Sequence, residues 1–292
     1  MKNIKISILF VILIWASTQI VNAQGSAFYD LPYAQDTLYK HKLDLYIPDS
    51  ENFPTILFIH GGSLIDGDRK DSILQKMASQ FTVNGVAVAL ISYRLSPAKW
   101  PSQANDVASA FSYLKKTIAS YGGNPLKIFI MGHSSGALLA ANVSTDSTTF
   151  SRYKLSLQDI AGFISIGSMM KHIAPTQGWP KEKIESAFKT DAYFSIFSDK
   201  NTFDNVSPYL HINKMMPKGL LIIAEDEQVN PPILEQSIEF VEKSFKHGVD
   251  VKYKVIPNRT HMSNIIKISE KNDPLFNLIV EFTTNKTEKN RK

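Results

Sequence analysis

The sequence predicts an α/β fold, a mostly parallel central sheet flanked by helices, on three observations. Apolar runs of strand length alternate with segments of helical periodicity along most of the chain. A very tight junction, Gly132-His133-Ser134-Ser135-Gly136, joins an apolar run to a helix-forming one. The 292 residues are 43% apolar, which suits one large core better than two small ones.

The elements follow in order. Lys42–Tyr46 alternates apolar and polar residues and predicts antiparallel edge strands at the start of the sheet. Thr55–Ile59 lies between a proline and a His-Gly-Gly turn and reads as a buried strand, as does Val86–Ile91. Asp71–Asn84 between them predicts a helix. From Ser102 to Ser120, apolar residues recur at helical spacing, with Pro101 before them and Gly122-Gly123 after as punctuation. Ile128–Met131 is a third buried strand, and a helix of small residues starts near Ser135. Ile160–Ile166, Leu220–Ile223 and Val249–Ile256 predict further strands. Leu234, Ile238, Val241 and Phe245 mark an amphipathic helix. Strands separated by helices pair in parallel through right-handed crossovers. Residues 168–216 fit this rhythm least and form an insertion expected either to cover the site as a lid or to be irregular helical packing. Of their aromatics, Trp179, Phe194 and Phe197, with Trp100, are candidates either for a substrate pocket or for plain packing.

Both chain ends are set apart. Residues 1–23 read as a signal peptide: Lys2 and Lys5, an apolar run Ile6–Trp15, then Val21-Asn22-Ala23 as a cleavage site. The run is too short for a bilayer span. The expectation is a domain over 24–283, secreted or periplasmic, without a stable membrane span, and a disordered basic tail over 284–292. The charge is nearly balanced, 32 Lys+Arg against 27 Asp+Glu, and no basic face interleaves with aromatics, which argues against nucleic acid. The absence of cysteine excludes disulfides, thiolate metal sites and a cysteine nucleophile.

The strongest chemical signal is Gly132–Gly136. A serine on a sharp strand-to-helix turn, flanked by glycines that permit close approach, has its hydroxyl lifted clear of the sheet. The helix N-terminus beneath favours developing negative charge. Ser134 is therefore the candidate nucleophile. His60-Gly61-Gly62-Ser63 follows a buried strand and lets backbone N–H groups reach a substrate oxygen. The candidate oxyanion donors are Gly62 or Ser63, together with Ser135. A Walker loop is excluded, because Asp68 stands where its lysine would be. Among seven histidines, His261 lies just after the last strand and is the candidate base; His211 and His247 are its rivals. The acid should follow strand Leu220–Ile223, where Glu225, Asp226 and Glu227 crowd one turn. The residues alone leave Asp226 and Glu227 both open.

Together these residues resemble the carboxylesterase and lipase branch of the α/β-hydrolase superfamily, near the small esterases related to feruloyl esterases and hormone-sensitive lipase. The resemblance also takes in Lys42–Pro48, Ser92-Tyr93-Arg94-Leu95-Ser96-Pro97, Asp106 and Val206-Ser207-Pro208. It implies Ser134 as nucleophile, His261 as base and an oxyanion loop at Gly61-Gly62. In that family the acid ends a Gly-x-x-Asp stretch with a proline four residues on. Ala224 and Glu227 occupy those positions here, followed by Pro231, which ranks Glu227 ahead of Asp226. Tyr93, Arg94 and Asp106 are expected to hold loops together beneath the site. The expected function is hydrolysis of a carboxylic ester, small or carbohydrate-linked, through an acyl-enzyme on Ser134, with no metal or cofactor. An arylformamidase-like amide hydrolase and a non-catalytic binding protein on the same fold are the alternatives.

Overall fold

The computed structural model describes residues 25–172, 176–228, 232–270 and 272–284. The expected signal peptide, the tail beyond Thr284 and Pro231 lie outside the described residues. Eight strands form one sheet: β1 (Ser26–Pro32), β2 (Lys42–Ile47), β3 (Phe53–Ile59), β4 (Ala87–Ile91), β5 (Gly123–His133), β6 (Gly162–Ile166), β7 (Gly219–Ala224) and β8 (Val251–Ile256). Their spatial order is β1-β2-β4-β3-β5-β6-β7-β8. β1 and β2 run antiparallel, and β2 is antiparallel to β4; the pairings from β4 through β8 are parallel.

Nine α-helices occur among the described residues: α1 (Ser72–Val83), α2 (Ser102–Thr117), α3 (Ser135–Thr145), α4 (Ser147–Ser151), α5 (Lys181–Thr190), α6 (Lys200–Asn205), α7 (Ile233–Lys246), α8 (His261–Lys267) and α9 (Pro274–Thr284). Sequence chemistry sets their ends. Asp71 caps α1 by accepting the Ile73 N–H at 2.8 Å. The predicted helix over 102–120 ends as α2 plus one 3₁₀ turn, Ile118–Tyr121, stopped by Gly122 at φ 88°.

β3, β4, β6, β7 and the second half of β5 are buried on both faces, which is why they read as continuous apolar runs. One apolar layer packs α2, α3 and α7 against the sheet through Phe111, Leu139 and Phe240. The other packs α1, α8 and α9 through Phe81, Ile265 and Ile279. The edge strands are β1, whose residues are mostly exposed, and β8. β2, expected at the edge, is internal, and its polar member Asp44 is fully buried against Arg69 and Lys70. The alternation in β2 therefore marks a buried ion pair rather than a wet face. Tyr93, Arg94 and Asp106 tie loops together as expected. Arg94 Nε donates to both Asp106 oxygens at 2.9 and 3.1 Å, and the Tyr93 hydroxyl donates to the His60 carbonyl at 2.9 Å.

Candidate active site

Parallel strands bring their C-terminal ends to one edge of the sheet, and the loops leaving those ends build the site. His60 follows β3, Ser134 follows β5, Gly167 follows β6, Glu227 lies just past β7, and His261 follows β8. Side chains 127 residues apart in sequence thereby reach one place.

Ser134 sits between β5 and α3 with φ 58° and ψ −125°, a conformation costly for any residue with a side chain. Close packing around the turn enforces it. A Cβ on Gly132 would stand 2.1 Å from the Gly136 carbonyl oxygen, and one on Gly136 would stand 2.2 Å from that of Ile59. The Ser134 N–H donates to the Ile166 carbonyl at 2.9 Å, pinning the turn to β6. Ser135 opens α3, so its N–H has no carbonyl one helical turn earlier to serve.

The loop after β3 reverses tightly: Gly62, Ser63 and Leu64 all have positive φ, at 107°, 55° and 60°. Leu64 is buried and anchors the loop, and its carbonyl accepts the Ser96 N–H at 2.8 Å. Gly61 faces the nucleophile so closely that a Cβ there would lie 3.1 Å from that of Ser134. Ser63 and Ser135 border a cavity of about 370 Å³ together with Ser134. Gly61 and Gly62 border a second cavity of about 330 Å³, which Ser134 also reaches.

The three adjacent carboxylates have three different fates. Glu225 accepts the Asn258 N–H at 2.7 Å and ties the turn after β7 to the loop after β8. Glu227 is buried; one oxygen accepts the Ala224 N–H at 2.7 Å and the other accepts a hydrogen bond from His261 Nδ1. Asp226 is exposed, lines the larger cavity and makes no bond to His261. Of the two candidate acids, the structure pairs Glu227 with the imidazole and not Asp226. The 3₁₀ turn Glu225–Glu227 closes on its own Glu227 carboxylate, which rotates residue 227 inward and residue 226 outward.

His261, expected in a loop, is the first residue of α8. Thr260 caps this helix through the Ser263 N–H at 3.2 Å. Bonding of Nδ1–H to Glu227 leaves the Nε2 lone pair free to take a proton. His261 and Ser134 line the same cavity, with no hydrogen bond between them among the described residues. The rivals lie elsewhere: His211 donates to Asn205 and His247 to Lys243, each through a backbone carbonyl.

His133 and His60 support the loops. His133 Nε2–H donates to the His261 carbonyl at 3.0 Å, and its ring packs 4.7 Å from that of His261. Burial, then the neighbouring His261, lowers His133 to about 4. His60 Nδ1–H donates to the Gly61 carbonyl at 2.7 Å, and burial lowers it to about 4 as well. Both rings are therefore neutral near pH 7.

Gly167, His172 and Tyr193 are among the lining residues that escape sequence reasoning. Gly167, at φ 67°, backs the acid–base pair: a Cβ there would stand 2.7 Å from Glu227 Oε1 and 2.9 Å from His261 Nδ1. Its only sequence signal is a lone glycine directly after a buried strand. His172 and Tyr193 come from the insertion; the Tyr193 hydroxyl donates to His172 Nε2 at 2.7 Å, and His172 Nδ1–H donates to the Phe203 carbonyl. The other aromatics resolve as packing away from the nucleophile. Phe194 and Phe197 join an aromatic cluster around Phe203, Trp100 packs on Phe197, and Trp179 borders a separate hollow on α5. Among the described residues, no group of three or more His, Asp or Glu side chains could hold a metal ion.

Known proteins share this fold. A solved "truncated form of carbohydrate esterase from gut microbiota" superposes with a TM-score of 0.71 at 20% identity, over 91% of this chain and 97% of that one. Esterase B from Lactobacillus rhamnosis gives 0.69 at 18% identity, over 89% and 85%. In sequence, the chain is 25% identical over 257 residues to a probable isoprenylcysteine alpha-carbonyl methylesterase, ICMEL1, of Arabidopsis thaliana, covering 81% of this chain and 52% of that protein. A rice (Oryza sativa subsp. japonica) protein of the same description, ICME, is 25% identical over 194 residues, covering 64% and 45%. The chain thus spans about half the length of the curated relatives it matches. Residues 43–243 match the BD-FAE family, a span running from β2 into α7 and holding the Gly61-Gly62 loop, the Ser134 elbow and the Glu227 turn. The matched span is most of the chain and the fold is that of α/β-hydrolases, so the chain belongs to the BD-FAE family.

Proposed function

We propose that this protein is a serine carboxylesterase acting through an acyl-enzyme on Ser134. The observation that carries the reading is the Glu227–His261 pair opening with Ser134 onto one cavity. Ser134 Oγ attacks the ester carbonyl carbon while its proton passes to His261 Nε2. The Glu227 carboxylate holds the imidazole by Nδ1–H and stabilises its charged form. The N–H of Ser135, with that of Gly62 or Ser63, receives the oxyanion. Collapse expels the alcohol, protonated by His261, and the same histidine then activates water against the acyl-enzyme. A serine and a histidine not yet in contact are compatible with this reading, because such bonds often tighten only around substrate.

The substrate class we favour is a small or carbohydrate-linked ester met outside the cytoplasm, such as acyl or feruloyl groups on polysaccharide. Two features support it: the signal-peptide pattern of residues 1–23 and the likeness to a carbohydrate esterase. Labelling with a fluorophosphonate probe and hydrolysis of 4-nitrophenyl acetate test the mechanism. Ser134→Ala is expected to abolish labelling and to lower kcat by at least about 10³. A folded wild-type protein that resists the probe would favour a binding protein. Faster turnover of N-formylkynurenine than of simple esters would favour a formamidase.

A further inference from the structure

Asp226 is left over once the pairing of Glu227 is accounted for. Its neighbours in the turn are both committed, Glu225 to the Asn258 N–H and Glu227 to Ala224 and His261. The Asp226 carboxylate accepts no hydrogen bond and forms no ion pair with a described residue; only its backbone is engaged, the N–H donating to the Arg259 carbonyl at 3.4 Å. The Arg259 guanidinium turns away to the Ser263 carbonyl and to Asp273. Asp226 nonetheless lines the cavity that holds Ser134 and His261.

The charge around it is one-sided. The chain has a net charge of +5, yet no lysine or arginine is among the described residues lining either cavity that borders Ser134. The sequence of the segments 173–175 and 229–231 contains no charged residue either. On the second cavity Asp66 and Asp71 stand at the rim, while Asp68 is neutralised by Lys40 at 3.0 Å. An ester with a carboxylate or phosphate near its scissile bond finds no countercharge there, and it meets a bare carboxylate in the larger cavity. A neutral ester does not suffer this repulsion, and a cationic one is attracted.

We propose that Asp226 is a charge-selecting residue, so that the site takes neutral or cationic esters and rejects anionic ones. This rests on the esterase reading above. Two isosteric pairs test it: monoethyl succinate against ethyl succinamate, and butyrylcholine against 3,3-dimethylbutyl butyrate. In wild type, kcat/KM is expected to favour the neutral member of the first pair and the cationic member of the second. Each ratio should be about fivefold, as for a partly solvated charge pair. Asp226→Asn should bring both ratios toward one, and Asp226→Lys should invert them. High salt should shrink the wild-type ratios, which a purely structural role would not do. Wild-type ratios within about twofold of one, or ratios unchanged in Asp226→Asn, would overturn the proposal. Calorimetric binding of the same four esters to Ser134→Ala reads the preference without turnover. If wild type cleaves none of them and also resists the fluorophosphonate probe, the esterase reading fails, and the binding ratios still decide the role of Asp226.

Discussion

At the scale of single residues, the site turns on which carboxylate faces the imidazole, and two substitutions separate the candidates. Glu227→Gln keeps the shape but removes the charge that stabilises the imidazolium and leaves Nδ1–H facing an amide. It is expected to lower kcat by at least about 10², whereas Asp226→Asn changes kcat on a neutral ester far less. Steady-state kinetics on 4-nitrophenyl acetate measures both, and the reverse order would reassign the acid. Gly167→Ala probes the same pair from behind. Its methyl group would press on Glu227 Oε1 and His261 Nδ1 within 3 Å, and the backbone at φ 67° disfavours any side chain. Loss of most of kcat with secondary structure retained, read by circular dichroism, is the expected result. The residue letters do not reveal this division of labour. By residue type Glu-Asp-Glu is three like acids, which only the family register with Ala224 and Pro231 ranks, and they take three roles when the 3₁₀ turn closes on the Glu227 carboxylate.

At the scale of elements, legibility follows burial. β3 to β7 are readable because an apolar run buried on both faces has one interpretation, and the Ser134 elbow is readable because only glycine permits its approach distances. β1 is not readable, since its exposed residues carry little apolar pattern, and β2 misleads because Asp44 looks solvent-facing until Arg69 is found beside it. The insertion is opaque for another reason. α5 and α6 have only 10 and 6 residues, and a cluster of Phe188, Phe194, Phe197 and Phe203, drawn from both helices and the turn between them, holds them. The elbow gives a test at this scale. Gly136→Ala places a methyl group 2.2 Å from a backbone carbonyl of β3, which no side-chain rotation relieves. Urea denaturation is expected to show a loss of more than about 2 kcal/mol. A variant as stable as wild type would mean that α3 can move off the sheet without cost.

At the scale of the whole molecule, the buried histidines link stability to pH in a window set by their own protonation. His60 and His133 each drop from 6.5 to about 4 in the folded chain, chiefly because burial disfavours the charged ring. His172 is lowered for the same reason. Between pH 6.5 and about 4 the unfolded chain binds these protons and the folded chain does not. Stability is therefore complete above pH 6.5 and falls as pH drops through the window, because protonation favours the unfolded chain. The carboxylates with lowered values, Asp68 at about 2 together with Asp30, Asp36 and Asp159, act in the same direction but only below about pH 4. The window thus belongs to the histidines. From pH 7 to pH 5, two such groups remove on the order of 4 kcal/mol. Urea midpoints measured at pH 7 and pH 5 should show that loss, and replacing His133 with glutamine should reduce it by up to about half. Equal midpoints at the two pH values would mean that both rings accept a proton in place, and half the loss that one does. His133 bonds the backbone of His261, so a proton there would disturb the base itself, and acid loss of activity would then precede unfolding instead of accompanying it.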